Sequence, residues 1–388
     1  MTEIPSRSMS AFSREEYRSR VSRLDALIQK MGVDVYLGST PENLNYLAGF
    51  DPLGLYFYQH LFYRAGAAQP LLLTHKCEKE LARLQCWIDD VRIWQHGDDP
   101  TRMTVDILRH LGVRSGSRVG LEMGNWYLKA STYQSLRTSL PDVDFVDITD
   151  DVLKLRTIKS QAEIAYMRAA ARFSDIGFAA LVHALRPGVT EQRLLTRAYS
   201  AMAEAGSEYP TLPFIIGSGP RSGLFHAVPT DRKVERGDPV MVELTGSCKR
   251  YNSNIVRTVV AGKASTALRE LWEIANDAFW RPFELVKPGA SVSEIDRLSR
   301  EVRAAYDAYI PARAGFGMGL AYPPVWAGRP DVLVGSDETL EEGMTFSLEP
   351  SIGQFHGVTV IFGYNILVTE TGAEILQKTD RSIFEIGA

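Results

Sequence analysis

The sequence predicts a mixed α/β (α+β) protein of two domains. Residues 1–150 read as an α/β layer domain, and residues 151–388 as an antiparallel sheet with helices on one face. Three observations carry this prediction. The chain has 388 residues, too many for one ordinary core. Its first part alternates short apolar runs with stretches of helical periodicity. Its second part uses one unit twice: a helix broken at Pro-Gly, a second helix, and a Gly-rich strand region.

The first domain follows from its elements in order. Residues 12–31 form a helix, because Val21, Leu24, Leu27 and Ile28 recur at helical spacing and Gly32 stops the run. Residues 33–37 read as a buried strand. Further strands are expected over 69–74, 90–94, 118–122 and 144–147, with helices over 77–87, 101–111 and 130–140.

The second domain opens with a helix over about 160–185, which Arg186-Pro187-Gly188 ends, since Pro and Gly do not extend a helix. A helix over 190–205 follows. The pattern recurs as a helix over 266–286, ended by Lys287-Pro288-Gly289, and another over 293–306; Pro282 is expected to kink the first of these. Strands over 239–244 and 255–261 form one pair, joined by a polar turn containing Lys249-Arg250-Tyr251-Asn252. Strands over 344–349 and 358–369 form another, with Gly353 and Gly357 between them. Two uses of one unit point to related halves about a pseudo-two-fold axis.

Composition narrows the function. The chain is 45% hydrophobic and 23% charged, as soluble globular proteins are, and its formal charge of −4 gives no reason to expect nucleic acid or an anionic membrane as partner. Its three cysteines, Cys77, Cys86 and Cys248, follow no metal spacing and read as reduced thiols. Residues 1–20 lack the apolar stretch of a signal peptide, and no window approaches the roughly 18 apolar residues of a membrane span. A cytoplasmic enzyme acting on a small molecule is the expectation.

Three ionisable residues stand out. His226 lies in a loop after the apolar, Gly-rich segment Phe214-Ile215-Ile216-Gly217-Ser218-Gly219, the kind of backbone that approaches a ligand. Glu243 sits within the apolar strand Val240-Met241-Val242-Glu243-Leu244. Alternation turns it away from Val240 and Val242, which fits a wet sheet face, but Met241 shares its side, so the local pattern leaves both readings open. Glu349 ends the strand Phe346-Ser347-Leu348 before Pro350, and is either a solvated strand end or a site carboxylate. Two carboxylates and one histidine suffice for acid–base or nucleophilic attack on a polar carbon. The seven histidines are scattered singly, with no zinc motif, and there is no Gly-x-Ser-x-Gly elbow. Gly315-Phe316-Gly317-Met318-Gly319 is a weak dinucleotide signal, since it neither follows a clear strand nor opens a helix.

Several separated motifs occur in one order: Leu155-Arg156-Thr157-Ile158-Lys159-Ser160, His226 before Pro229-Thr230-Asp231, Arg236-Gly237-Asp238, residues 251–258, 315–319 and 343–350, and Leu367-Val368-Thr369-Glu370. Through them the chain resembles the pita-bread family of creatinase, Xaa-Pro dipeptidase and methionine aminopeptidase, with a creatinase-like first domain. The metallopeptidases of that family hold two metals with Asp, Asp, His, Glu and Glu. At the matching positions this sequence has Glu243, Asn254, Phe316, Glu349 and Gly363. Asn, Phe and Gly supply no anionic oxygen and no imidazole, and two carboxylates are too few to offset two dications. No resident metal and no cofactor are therefore expected.

The resemblance extends to the metal-free branch of creatinase and ectoine hydrolase, through Glu243-Leu244-Thr245-Gly246-Ser247-Cys248-Lys249-Arg250-Tyr251 and Tyr322-Pro323-Pro324-Val325-Trp326. It implies a metal-independent hydrolase that cleaves a C–N bond in a small cyclic amidine or guanidino compound. It also implies roles: Glu243 as nucleophile or activator of water, Glu349 holding the cationic N–H groups, and His226 passing a proton to the leaving nitrogen. Tyr251, Asn254 and Phe316 would line the substrate. Tyr58 and Gln59, in the aromatic run Leu55-Tyr56-Phe57-Tyr58-Gln59-His60, match a segment that reaches a partner's site in creatinase-like dimers, so a homodimer with a shared site is expected. The alternatives are an Xaa-Pro metallopeptidase with altered ligands and a non-catalytic binding protein on the same fold.

Overall fold

The computed structural model describes residues 9–387. The chain divides into two compact units, Met1–Arg156 and Thr157–Ala388. The division falls six residues later than the sequence reading placed it. The short helix Thr149–Lys154 packs with the first helix of the chain and so belongs to the first unit.

The first unit runs α1 (Arg14–Lys30), β1 (Val35–Gly38), α2 (Pro41–Ala48), β2 (His60–Arg64), β3 (Leu71–His75), α3 (Lys79–Gln85), β4 (Val91–Trp94), α4 (Pro100–His110), β5 (Arg118–Leu121), α5 (Ala130–Ser139), β6 (Asp144–Asp147) and α6 (Thr149–Lys154). Its six-stranded sheet has the order β4-β3-β2-β1-β5-β6. The pairs β1/β2 and β2/β3 are antiparallel; the others are parallel. Three elements escape the sequence reading: α2, β2 and the short α6. Helix α2 has only eight residues, set by the Thr40 cap, Pro41 in its first turn and Gly49 at φ 79°, too short for a periodic signal. Strand β2 begins where the aromatic run ends and is apolar on both faces, so no alternation marks it. Behind α2 lies Glu122, buried at the end of β5. Its carboxylate accepts from Tyr36, Asn43 and the main-chain N–H groups of Ser39 and Thr40.

The second unit runs α7 (Gln161–Ala184), α8 (Glu191–Glu204), β7 (Ile215–Ser218), β8 (Pro239–Cys248), β9 (Tyr251–Ala261), α9 (Thr266–Phe283), α10 (Val292–Val302), β10 (Gly315–Gly317), β11 (Gly328–Val332), β12 (Thr345–Leu348), β13 (Ser351–Phe355), β14 (Val358–Thr369), β15 (Gly372–Ile375) and β16 (Glu385–Ile386). Ser160 and Glu163 close a capping box at the start of α7. Pro282 sits in the last turn of α9, so it ends that helix rather than bending its middle.

The main sheet has the order β11-β10-β12-β14-β9-β8-β7. One half, β7-β8-β9, packs against α7 and α8 through Phe178, Leu181, Leu194, Val240, Val242 and Leu244. The other half packs β12 and β14 against α9 and α10 through Trp272, Phe279, Ile295, Phe346, Phe362 and Ile366. The two strand pairs read from the sequence are therefore one sheet. Their seam is the pairing of β9 with β14, at Arg257–Phe362 and Val256–Gly363. Arg257, buried between the Phe362 and Tyr364 rings, donates to the Gly363 carbonyl across it.

The β8/β9 hairpin is longer and tighter than expected. Its turn is only Lys249 and Arg250, both at positive φ (50° and 64°), while Tyr251 and Asn252 belong to β9. A two-residue turn with both central residues left-handed matches the twist of paired strands.

Candidate active site

Glu243 lies on β8, opposite Ile215 of β7 and Val256 of β9. Val240, Val242 and Leu244 point to the helices, so Glu243 and Met241 point to the other face. That face is not wet at Glu243, which is 9% exposed, because Ile215, Ala227, Met241, Val256 and Ile361 form an apolar patch around it. The question left open by strand alternation is answered by the neighbouring strands, which bring apolar residues to the same side.

Asn254, two residues from Val256 and on the same side of β9, reaches both carboxylates. Its Nδ2 donates to Glu243 Oε1 at 2.9 Å and to Glu349 Oε2 at 3.1 Å. Ser347, two residues before Glu349 along the chain, donates through Oγ to the same Oε2 at 2.8 Å. Glu243 Oε2 and Glu349 Oε1 make no hydrogen bond to a described residue. Burial, and then the charge of Glu349, push the Glu243 carboxyl up to about 8. Burial also raises Glu349, although the Ser347 and Asn254 hydrogen bonds and the Arg313 charge act against it. Burial and the mutual repulsion of the two carboxyls both favour a proton on this pair.

The other expected residues are placed as follows. Phe316, on β10, pairs in register with Ser347 of β12; the Arg313 guanidinium lies 4.8 Å from its ring centroid and Trp326 stacks on it at 6.4 Å. His226 is exposed in the turn after a short 3-10 segment, Gly219–Gly223, and makes no hydrogen bond to a described residue. Its neighbour Ala227 packs in the apolar patch beside Met241, which sets His226 at the border of that patch without bonding it to either carboxylate. Tyr251, expected to line the substrate, is 1% exposed, and its hydroxyl donates to Glu163 of α7 at 2.6 Å. It ties β9 to the start of that helix. Tyr58 and Gln59 belong to the first unit. The Tyr58 hydroxyl pairs with Thr104 at 2.8 Å, and burial raises it to about 12; Gln59 is buried and accepts from Thr74.

Several residues of the site were not singled out in the sequence. Ser347 was legible, since it stands two residues before Glu349 in a strand and so shares its side. Asn365 and Gln377, which hold Asn254 from behind, gave no local signal: one is a polar residue in an apolar strand, the other lies in the chain after β15. Glu191, buried at the start of α8, also went unnoticed. It accepts from the main chain and hydroxyls of Ser218 and Thr230 and from Arg221.

The residues present do not fit the two-metal centre that the fold family implies. Asn254 turns an N–H₂ group, not an oxygen, toward the carboxylates, and its Oδ1 already accepts from Asn365 at 2.7 Å. A side chain at position 363 would bring its Cβ within 2.7 Å of Glu349 Cβ. Among the described residues, no group of three or more His, Cys, Asp or Glu is placed to hold a metal ion.

Comparison with known proteins sets these features in a family. Residues 165–370 match the metallopeptidase family M24, and residues 20–158 match the creatinase/prolidase N-terminal domain. The ectoine hydrolase of Halomonas elongata is 30% identical over 398 residues, covering 96% of this chain and 98% of that protein. The Xaa-Pro dipeptidase of Pyrococcus furiosus is 28% identical over 370 residues, covering 94% and 99%. Among solved structures, the Xaa-Pro dipeptidase from Bacillus anthracis superposes with a TM-score of 0.83 at 26% identity, over 95% of this chain and 99% of that one. No described helix is long and apolar enough to cross a membrane. With both of its domains matched in sequence order and relatives aligned almost end to end, the chain belongs to the M24 family and is a hydrolase of the pita-bread fold.

Proposed function

We propose that this hydrolase opens a C–N bond in a small cyclic amidine or guanidino compound, in the manner of ectoine hydrolase, and does so without a resident metal. One observation carries the reading. The Asn254 amide bridges Glu243 and Glu349 and leaves one oxygen of each, Glu243 Oε2 and Glu349 Oε1, for a ligand. An amidinium or guanidinium presents two N–H donors and a positive charge, which match two such oxygens.

Binding the cation favours the ionised pair, so the shared proton leaves as the substrate enters. Glu349 holds the N–H groups. Glu243 then either attacks the amidine carbon, giving an adduct that water hydrolyses after the nitrogen has left so that the carboxylate is released, or takes a proton from water as the water oxygen bonds to that carbon. The C–N bond breaks as His226 gives a proton to the departing nitrogen, and the net change is addition of one water to the substrate. The apolar patch of Ile215, Met241, Val256 and Ile361 suits a small alkyl substituent on the reacting carbon. Phe316 fills the position of the family's metal-binding histidine and limits water there. The reading includes a cytoplasmic homodimer in which the segment carrying Tyr58 reaches the partner's site, while Gln59, buried in its own unit, takes no part; a fully active monomer in sedimentation would sink that part.

The deciding experiment incubates metal-stripped protein with ectoine, 5-hydroxyectoine, creatine and Xaa-Pro dipeptides and follows products by mass. Turnover of an amidine or guanidino compound in the presence of chelator is expected. A second reading, an Xaa-Pro peptidase, is favoured by the dipeptidase relatives that align over 94% of the chain. Cleavage of the dipeptides alone, stimulated by manganese or cobalt, would establish it instead.

A further inference from the structure

Asn254 decides what the two carboxylates see, and its orientation is fixed from a distance. Gln377 is 3% exposed. Its Oε1 accepts from the main-chain N–H of Asn365 at 2.9 Å, and its Nε2 donates to the main-chain carbonyl of Asn254 at 2.8 Å. Main-chain groups have only one role each, so the Gln377 amide cannot be turned round. Its Nε2 also donates to Ser253 Oγ at 3.0 Å. Ser253 in turn gives its single hydroxyl hydrogen to Asn365 Oδ1, 2.6 Å away. That makes Oδ1 the accepting side of Asn365 and leaves its Nδ2 to donate to Asn254 Oδ1 at 2.7 Å. Asn254 accordingly turns its N–H₂ toward Glu243 and Glu349. Every link passes the same polarity on, and a reversed Asn254 would set carbonyl oxygen against carboxylates and N–H₂ against N–H₂.

We propose that Gln377, Ser253 and Asn365 are positioning residues that lock the Asn254 amide with its donors inward, and that this polarity selects the occupant of the site by closing the carboxylate pair to divalent cations. Reversed, Asn254 would bring a carbonyl oxygen between Glu243 Oε1 and Glu349 Oε2, beside Ser347 Oγ. Oxygens converging in that way are what a hard divalent cation takes as ligands. With the donors inward, the pair keeps its outward oxygens for a ligand that brings N–H groups. Only this last clause rests on the substrate class proposed above.

The test inverts the relay without changing its shape. Asn365→Asp offers only acceptors to Asn254 and turns it round, whereas Asn365→Leu fills the same space with no polarity. Manganese(II) binding is read from the electron paramagnetic resonance signal of the free ion, on purified, chelator-treated protein checked for native unfolding behaviour. The Asn365→Asp variant is expected to bind manganese about 10–100-fold more tightly than the parent, the size of effect that second-layer partners have on metal sites. Asn365→Leu should stay near the parent. Adding Asn254→Leu to Asn365→Asp should remove the gain, which separates the turned amide from the added charge. If Asn365→Asp does not fold, Gln377→Glu inverts the relay from its far end, with Gln377→Met as its control. Tight manganese binding by the parent, equal binding by the Asp and Leu variants, or a gain that survives Asn254→Leu would each overturn the proposal. None of these readouts uses turnover, so a wrong substrate class and a wrong relay are told apart.

Discussion

The second unit buries two carboxylates in opposite ways. Glu191, at the first position of α8, is 0% exposed. It accepts from Ser218 (N 2.9 Å, Oγ 2.8 Å), from Thr230 (N 2.9 Å, Oγ1 2.8 Å) and from Arg221 Nε at 3.2 Å. Burial pushes its carboxyl up, but the Ser218 and Thr230 hydrogen bonds together outweigh that and hold it below the usual value. Glu243 is nearly as buried but has one donor, Asn254, and a second carboxylate beside it; it is pushed up to about 8. Burial alone therefore does not decide a carboxylate's state; the number of donors aimed at it does. Glu191 is a fastener. It ties both ends of the segment that carries His226 to one helix N-terminus, where the helix dipole also favours an anion. Glu243 is left under-supplied, with an oxygen free, as a group meant to meet a ligand should be.

The sharpest way to break this contrast is Glu243→Gln. Loss of the ionisable group is expected to lower turnover of whichever substrate the incubations identify by about 10²–10⁴-fold, the usual scale of positioned proton transfer. Parental turnover would place Glu243 with Glu191 as a structural residue. Next in size is Glu191→Ala. It leaves two main-chain N–H groups, two hydroxyls and a guanidinium without their acceptor, and should cost about 3–5 kcal/mol in urea unfolding, as breaking a buried ion pair does.

The third prediction sets the two residues against each other in pH. The folded-state pKa of Glu191 is depressed. Its contribution to stability is present above the ordinary carboxylate value and is lost as pH falls through the folded value. The folded-state pKa of Glu243 is raised. Between 4.5 and about 8 the folded protein keeps a proton that the unfolded chain releases, so stability falls as pH rises through that window. Glu243→Gln should therefore match the parent near the low end and exceed it at the high end, by at most about 1.4 kcal/mol per pH unit crossed. The gap between parent and Glu191→Ala should instead close in acid. Unfolding curves at several pH values read both slopes, and slopes of the same sign would end the distinction.

How far the sequence reached follows the same physics. The helices α7, α8 and α10 and the strand β14 were legible because they are long, or are bounded by caps and Pro-Gly breaks. Glu243, Glu349 and Asn254 were legible as polar residues in apolar strands and by their place in family motifs, and the structure bonds them together. Tyr251 sits among those motifs too, but its role is decided by Glu163, far away in the chain. Asn365, Gln377 and Glu191 were not legible, since what marks them is a set of partners on other strands and loops. A hydrogen-bond relay leaves no periodic trace, because each link depends on which group donates and not on spacing.

Ser347 offers the finest test of the donor argument. It supplies one hydrogen bond to Glu349 Oε2 at 2.8 Å, beside that from Asn254. Ser347→Ala removes this donor and leaves Asn254 and the nearby Arg313 in place. The loss should cost only about 0.5–1.5 kcal/mol of stability, but it moves Glu349 further from the well-supplied condition of Glu191. Its carboxyl should rise, because a hydrogen bond that favours the ionised form is gone. The acid limb of the pH–rate profile should then shift to higher pH, with the alkaline limb unchanged. A lowered rate with an unmoved acid limb would mean that Ser347 only packs the strand end, and that donor number does not grade these carboxylates after all.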